Sequence, residues 1–115
     1  MDGTIYTMVR AADWRAAEAL GEYHGSADDR RDGFLHFSTA GQLRASAAKH
    51  RAGEADLLLV AVDTAALGES LRWEKAGSRP GLFPHLYGAL PVAIARVTPL
   101  PLGEDGLHAF PAGIP

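Results

Sequence analysis

The chain has no cysteine. Disulfide bridges, thiolate nucleophiles and cysteine-ligated zinc are therefore excluded, and the fold must rest on its own core. An excess of positive charge is also missing: 11 Lys and Arg stand against 14 Asp and Glu, a formal net charge of −3. That balance argues against a broad electrostatic footprint for nucleic acid or an anionic membrane. Long hydrophobic runs are absent. The strongest, Leu57 to Val62, falls far short of the ~20 residues that span a bilayer. Residues 1–10, MDGTIYTMVR, have neither the basic start nor the apolar core of an export signal, so a soluble cytoplasmic protein is expected. No HExxH, GxSxG, P-loop or GxGxxG pattern occurs, and the chain has no internal repeats.

What is present is an ordinary globular composition. The 115 residues are 47% hydrophobic and 22% charged, which suits one domain over residues 1–115 that folds without staples. Thr4 to Val9 reads as a first strand. Asp13 is placed to cap a helix through Leu20, which Gly21 ends. Residues 21–33, GEYHGSADDRRDG, read as a solvated surface loop, and GFLHF as a second strand. Thr39 and Gln42 have capping-box spacing, so a helix opens there and runs toward Gly53. DLLLVAVD is the most hydrophobic run and is expected to be the central strand, covered on both faces. A helical turn at Ala65 to Leu67, a strand LRWE, a loop from Lys75 to Pro84 and a last clear strand from Pro91 to Val97 complete the pattern. The tail from Thr98 holds four of the seven prolines and reads as an extended wrap with one short strand near Leu107 to Phe110. The expected class is α+β, with five or six short strands and two helices.

Three stretches carry side chains suited to chemistry. In GFLHFST, strand alternation turns His36 away from Leu35 and Phe37. Ser38 and Thr39 lie where a helix begins and free N–H groups can meet a phosphate. Trp73 and Glu74 end a strand, where a carboxylate beside an indole can have its pKa raised or can orient a sugar hydroxyl. In LFPHLYG, His85 and Tyr87 offer flat faces with polar tips. Each also has a structural reading: a cap at Thr39, a structural His36, a solvated Glu74, and a core plug from Phe83, Leu86 and Tyr87. A metal site from His36, His85 and His108 has no supporting spacing.

Taken together and in order, DGFLHFSTAGQL, DLLLVAVD, LRWEKAG and FPHLYGALP resemble DUF952, a family of small bacterial domains of unknown function. The resemblance runs from IYTMV to PVAIARV, and HFST and PHLYG are its most specific pieces. It implies a compact ADP-ribosyltransferase-like fold, a split, mixed β-sheet with a cleft for NAD. On that implication Glu74 and His36 are the catalytic candidates. Glu74 stabilises an oxocarbenium-like state and His36 holds the ribose. Ser38 and Thr39 match the fold's Ser-Thr run, while His85 and Tyr87 clamp nicotinamide or adenine and Trp73 flanks Glu74. Tyr6 stands on the first strand where that fold places His or Arg, and no Glu-x-Glu pair is present. NAD would be a substrate, with no cofactor required. The competing expectations are a non-catalytic module for a small metabolite, and a protein-interaction surface built from the prolines of the tail and residues 82–88.

Overall fold

A computed structural model describes residues 3–115. Strand β1 (Thr4–Arg10) runs straight into helix α1 (Ala11–Leu20). The short strand β2 (Glu22–Tyr23), helix α2 (Ala27–Asp32) and strands β3 (Leu35–His36) and β4 (Ser38–Thr39) follow. Helix α3 (Ala40–His50) and strand β5 (Leu57–Asp63) come next, then β6 (Leu71–Glu74), β7 (Phe83–Leu86), β8 (Leu90–Pro91) and β9 (Arg96–Leu100). Single 3₁₀ turns cover Thr64–Ala66, Gly68–Ser70 and Val92–Ile94.

The strands form three sheets, in the orders β4-β1-β5-β9, β2-β8 and β3-β7-β6. The class is α+β and the sheet is split, as expected. The described residues form nine strands and three α-helices in place of five or six and two, because several strands are only two residues long and α2 lies in the segment read as a loop. The pairing is not mixed, however: each of these ladders is antiparallel. Alternation along β1 and β5 gives the four-stranded sheet two apolar faces. Ile5, Val9, Val60 and Val62 join Trp14, Leu35, Phe37 and Leu86 in one cluster. Met8, Leu57 and Leu59 join Leu43 and Ala47 of α3 in the other. β5 is thus an inner strand packed on both sides. Among the described residues, no helix is long and apolar enough to cross a membrane.

Several local expectations are corrected. Helix α1 starts two residues before Asp13 and has no side-chain cap; its first N–H, that of Ala11, donates to the Asp56 carbonyl at 2.8 Å. Residues 21–33 are not a loop: they contain β2 and α2, whose start is a Ser26/Asp29 capping box. Residues 83–86 form the middle strand of a sheet, in which the Pro84 carbonyl accepts from the Phe37 N–H at 3.0 Å. The run 91–97 breaks in two, since the Val92 N–H turns to the Gly21 carbonyl. Pro99 lies in β9, which among the described residues pairs only with β5 and so tolerates a missing donor. In the tail a lone bridge joins Leu102 to His108. Phe110 and Ile114 cover the second cluster, while Arg44 donates to the carbonyls of Ile114 and Pro115.

Candidate functional site

The site is built on the outer face of the three-stranded sheet. Leu35, Phe37, Leu86 and Trp73 turn inward to the first core cluster. Alternation therefore turns Phe34, His36, His85 and Glu74 outward. Register brings His36 opposite His85 and Glu74 opposite Phe83, so Glu74 and His85 are diagonal neighbours on one face. His85 Nδ1 lies 2.9 Å from Glu74 Oε1, which also accepts the Tyr87 hydroxyl at 2.7 Å. The Tyr87 bond first, and then the His85 bond, hold the Glu74 carboxyl below its ordinary range. The Phe34 ring stacks on His85 with centroids 4.1 Å apart, and lies 5.2 Å from the Tyr87 ring.

His36 is held differently. Its Nδ1 lies 2.6 Å from Asp29 Oδ1 and its Nε2 lies 2.9 Å from Asp32 Oδ2. Asp29 also accepts the backbone N–H groups of His36 and Ser26. The Asp29 bond raises the His36 pKa above its ordinary value, against the effect of burial. Burial pushes the Asp29 carboxyl up, but the His36 and Ser26 bonds outweigh it and leave it lowered. With a carboxylate at each nitrogen, the imidazolium form donates both protons. The expected reach of His36 to a ribose hydroxyl therefore meets two nitrogens already engaged.

Gly25 permits this clasp. Its φ is +102°, and a Cβ there would stand 2.6 Å from Asp29 Cβ and 2.7 Å from Leu35 Cδ2. A Gly25→Ala variant is expected to lose about 2 kcal/mol of unfolding free energy through strain and overpacking, read by urea denaturation. A loss within error of zero would contradict the packing of this turn.

Beside the sheet opens a cleft of about 1020 Å³. Of the candidate residues, Tyr6, His36, Ser38 and His85 line it, and Tyr6 pairs opposite Ser38 across β1 and β4. Glu74 and Tyr87 are not among the lining residues and meet the cleft through His85 and Phe34. Trp73 packs against the core. Thr39 caps α3: its hydroxyl accepts from the Gln42 N–H while the Gln42 side chain accepts from the Thr39 N–H. That reciprocal box occupies two of the N–H donors at the helix start, those of Thr39 and Gln42. Ser38 is buried, and its hydroxyl shares a 2.8 Å bond with Ser46. His108 is engaged elsewhere, its Nε2 lying 2.8 Å from the Glu54 carbonyl.

Asp29, Asp32 and Phe34 belong to the site and were not among the sequence candidates. The signal for Asp29 is the Ser26-x-x-Asp29 spacing, the same kind of box as at Thr39, set inside a charged run that reads as solvated. Phe34 follows from alternation with Leu35 once His36 is placed.

Residues 8–98 match the family model DUF952, described as a protein of unknown function, and the chain belongs to that family. The crystal structure of protein CC0527 from Caulobacter crescentus is similar to it, at 42% identity and a TM-score of 0.87 over 93% of this chain and 94% of that one. The solution structure of CC0527 agrees, at 43% identity and a TM-score of 0.81 over 90% of each chain. No curated protein matches.

Proposed function

We propose that the cleft binds a nucleotide of the NAD or ADP-ribose class, on an ADP-ribosyltransferase-like framework, and that His85 acts on the bound ligand. The observation that carries this reading is the ring of His85, buried under Phe34 and fixed by Glu74 through Nδ1. A flat ring stack beside a cleft of this size suits a planar base. With Nδ1–H donated to Glu74, the Nε2 lone pair is left for the ligand, and among the described residues it has no protein partner.

The same arrangement suits glycosidic cleavage of NAD. The bond from ribose C1′ to the nicotinamide nitrogen breaks, and its electron pair leaves with nicotinamide. Water adds to C1′ and gives its proton to His85 Nε2. Glu74 keeps the ring in place and stabilises the imidazolium that forms. In this reading Glu74 is a positioning residue. Calorimetric titration tests the ligand class: ADP-ribose is expected to bind with Kd on the order of 0.1 mM, about −5.5 kcal/mol. No heat with either NAD or ADP-ribose at millimolar concentration would overturn the proposal.

A further inference from the structure

The cleft has a second wall that neither the His85 stack nor the His36 clasp uses. Arg79 lies in the segment between β6 and β7, over the ring of buried Phe83, with its guanidinium carbon 4.2 Å from the ring centroid. One of its nitrogens, Nη2, donates to Ser46 Oγ at 3.1 Å. Ser46 is buried and bonded in turn to buried Ser38. The stack and the hydroxyl fix the plane of the fork. Lys75 Nζ donates to the Arg79 carbonyl at 3.3 Å and ties down the segment.

What the fork lacks is a counter-ion. Among the described residues, no carboxylate comes within 4.0 Å of Arg79, Lys49 or Lys75. Of the acidic residues lining the cleft, Asp28 pairs with Arg31, Asp29 and Asp32 with His36, and Glu54 with Arg51, while Glu22 lies 4.0 Å from His24 and Asp13 approaches none of these cations within 4.0 Å. Lys49 and His50, on the last turn of α3, line the same cleft. Burial, and then the nearby charges of Arg79 and Lys49, lower the His50 pKa. Like charges gathered in a cleft repel unless an anion sits among them.

We infer that Arg79, Ser46 and Lys49 form a subsite for a phosphoryl group, the diphosphate of the ligand proposed above. A planar guanidinium pre-oriented by an aromatic ring and a hydroxyl matches two phosphoryl oxygens, and a neighbouring lysine adds the charge a dianion needs. A carboxylate brings only one charge to the same cations. The subsite sits at the C-terminal end of α3, away from the capped N-terminus where the sequence places an anion.

This inference rests on the nucleotide reading for its ligand, and inorganic pyrophosphate separates the two. Pyrophosphate titrated calorimetrically at low ionic strength is expected to bind the wild type. Arg79→Gln is expected to weaken it by about 10- to 100-fold, Arg79→Lys less, and the exposed Lys49→Gln about 3-fold or more. Arg96→Gln, which removes a cation paired with Asp63 outside the cleft, is expected to leave binding unchanged. No binding of pyrophosphate, equal loss in Arg79→Gln and Arg96→Gln, or equal binding of acetate would overturn the subsite. Arg79-dependent pyrophosphate binding without ADP-ribose binding keeps the subsite and removes the nucleotide. ADP-ribose binding that ignores Arg79→Gln does the reverse.

Discussion

An Asp29→Ala variant is expected to melt about 10–15 °C below the wild type, a loss of roughly 3 kcal/mol in a domain of this size. Asp29 is buried and joins three groups: the Ser26 N–H that opens α2, the His36 N–H of β3 and the His36 ring. Truncation leaves all three without that acceptor and removes half of the capping box. Asp29→Asn keeps an acceptor for the cap but loses the charge opposite the imidazolium, so a smaller loss is expected. Thermal melts of the two variants separate the cap from the ion pair. A loss below about 1 kcal/mol in the alanine variant would mean the clasp is not formed.

The same pair sets a pH window. Asp29 is lowered from 3.8, so its contribution is present above that value and lost as pH falls through the folded pKa. His36 is raised from 6.5, so its contribution is present below 6.5 and lost as pH rises through the folded pKa. Both are in force between these two values. His50, lowered from 6.5, works in the opposite direction, being lost as pH falls. The difference between wild type and His36→Gln isolates the clasp: it is expected to be largest near pH 5 and to shrink above neutrality.

The second large effect concerns His85. If the cleft cleaves NAD as proposed, His85→Gln is expected to slow nicotinamide release by about 10²–10³-fold, the range of a lost general base. Glu74→Gln is expected to slow it less and to displace the pH–rate profile, because Glu74 acts through the His85 ring. Arg96→Gln, an exposed change away from the cleft, is expected to alter neither. Nicotinamide release measured in folded variants checks each outcome. Undiminished turnover in His85→Gln would remove that residue from the mechanism.

How much of this was legible in the sequence differs from residue to residue. The Thr39/Gln42 box and the apolar run of β5 are local signals, and they specify the start of α3 and the doubly covered strand directly. The inward Leu35 and outward His36 follow from alternation alone. The Ser26/Asp29 box is equally local, but DDRRD surrounds it with charge, so a capped, buried carboxylate reads as surface. Glu74, His85 and Tyr87 were visible as separate candidates. Their union depends on the register of β6 against β7, which no short-range pattern encodes. Arg79 was hidden for a different reason. It lies in a Gly- and Pro-containing segment without periodicity, and its partners Phe83 and Ser46 meet it only in the folded chain.

Amide NMR titration with ADP-ribose locates the ligand directly and tests whether the cleft beside His85 receives it. Nucleotide in the cleft is expected to shift residues 34–38, 46–50 and 79–87, on both walls. An unchanged spectrum at millimolar ADP-ribose, or shifts confined to the tail beyond residue 100, would contradict binding in this cleft.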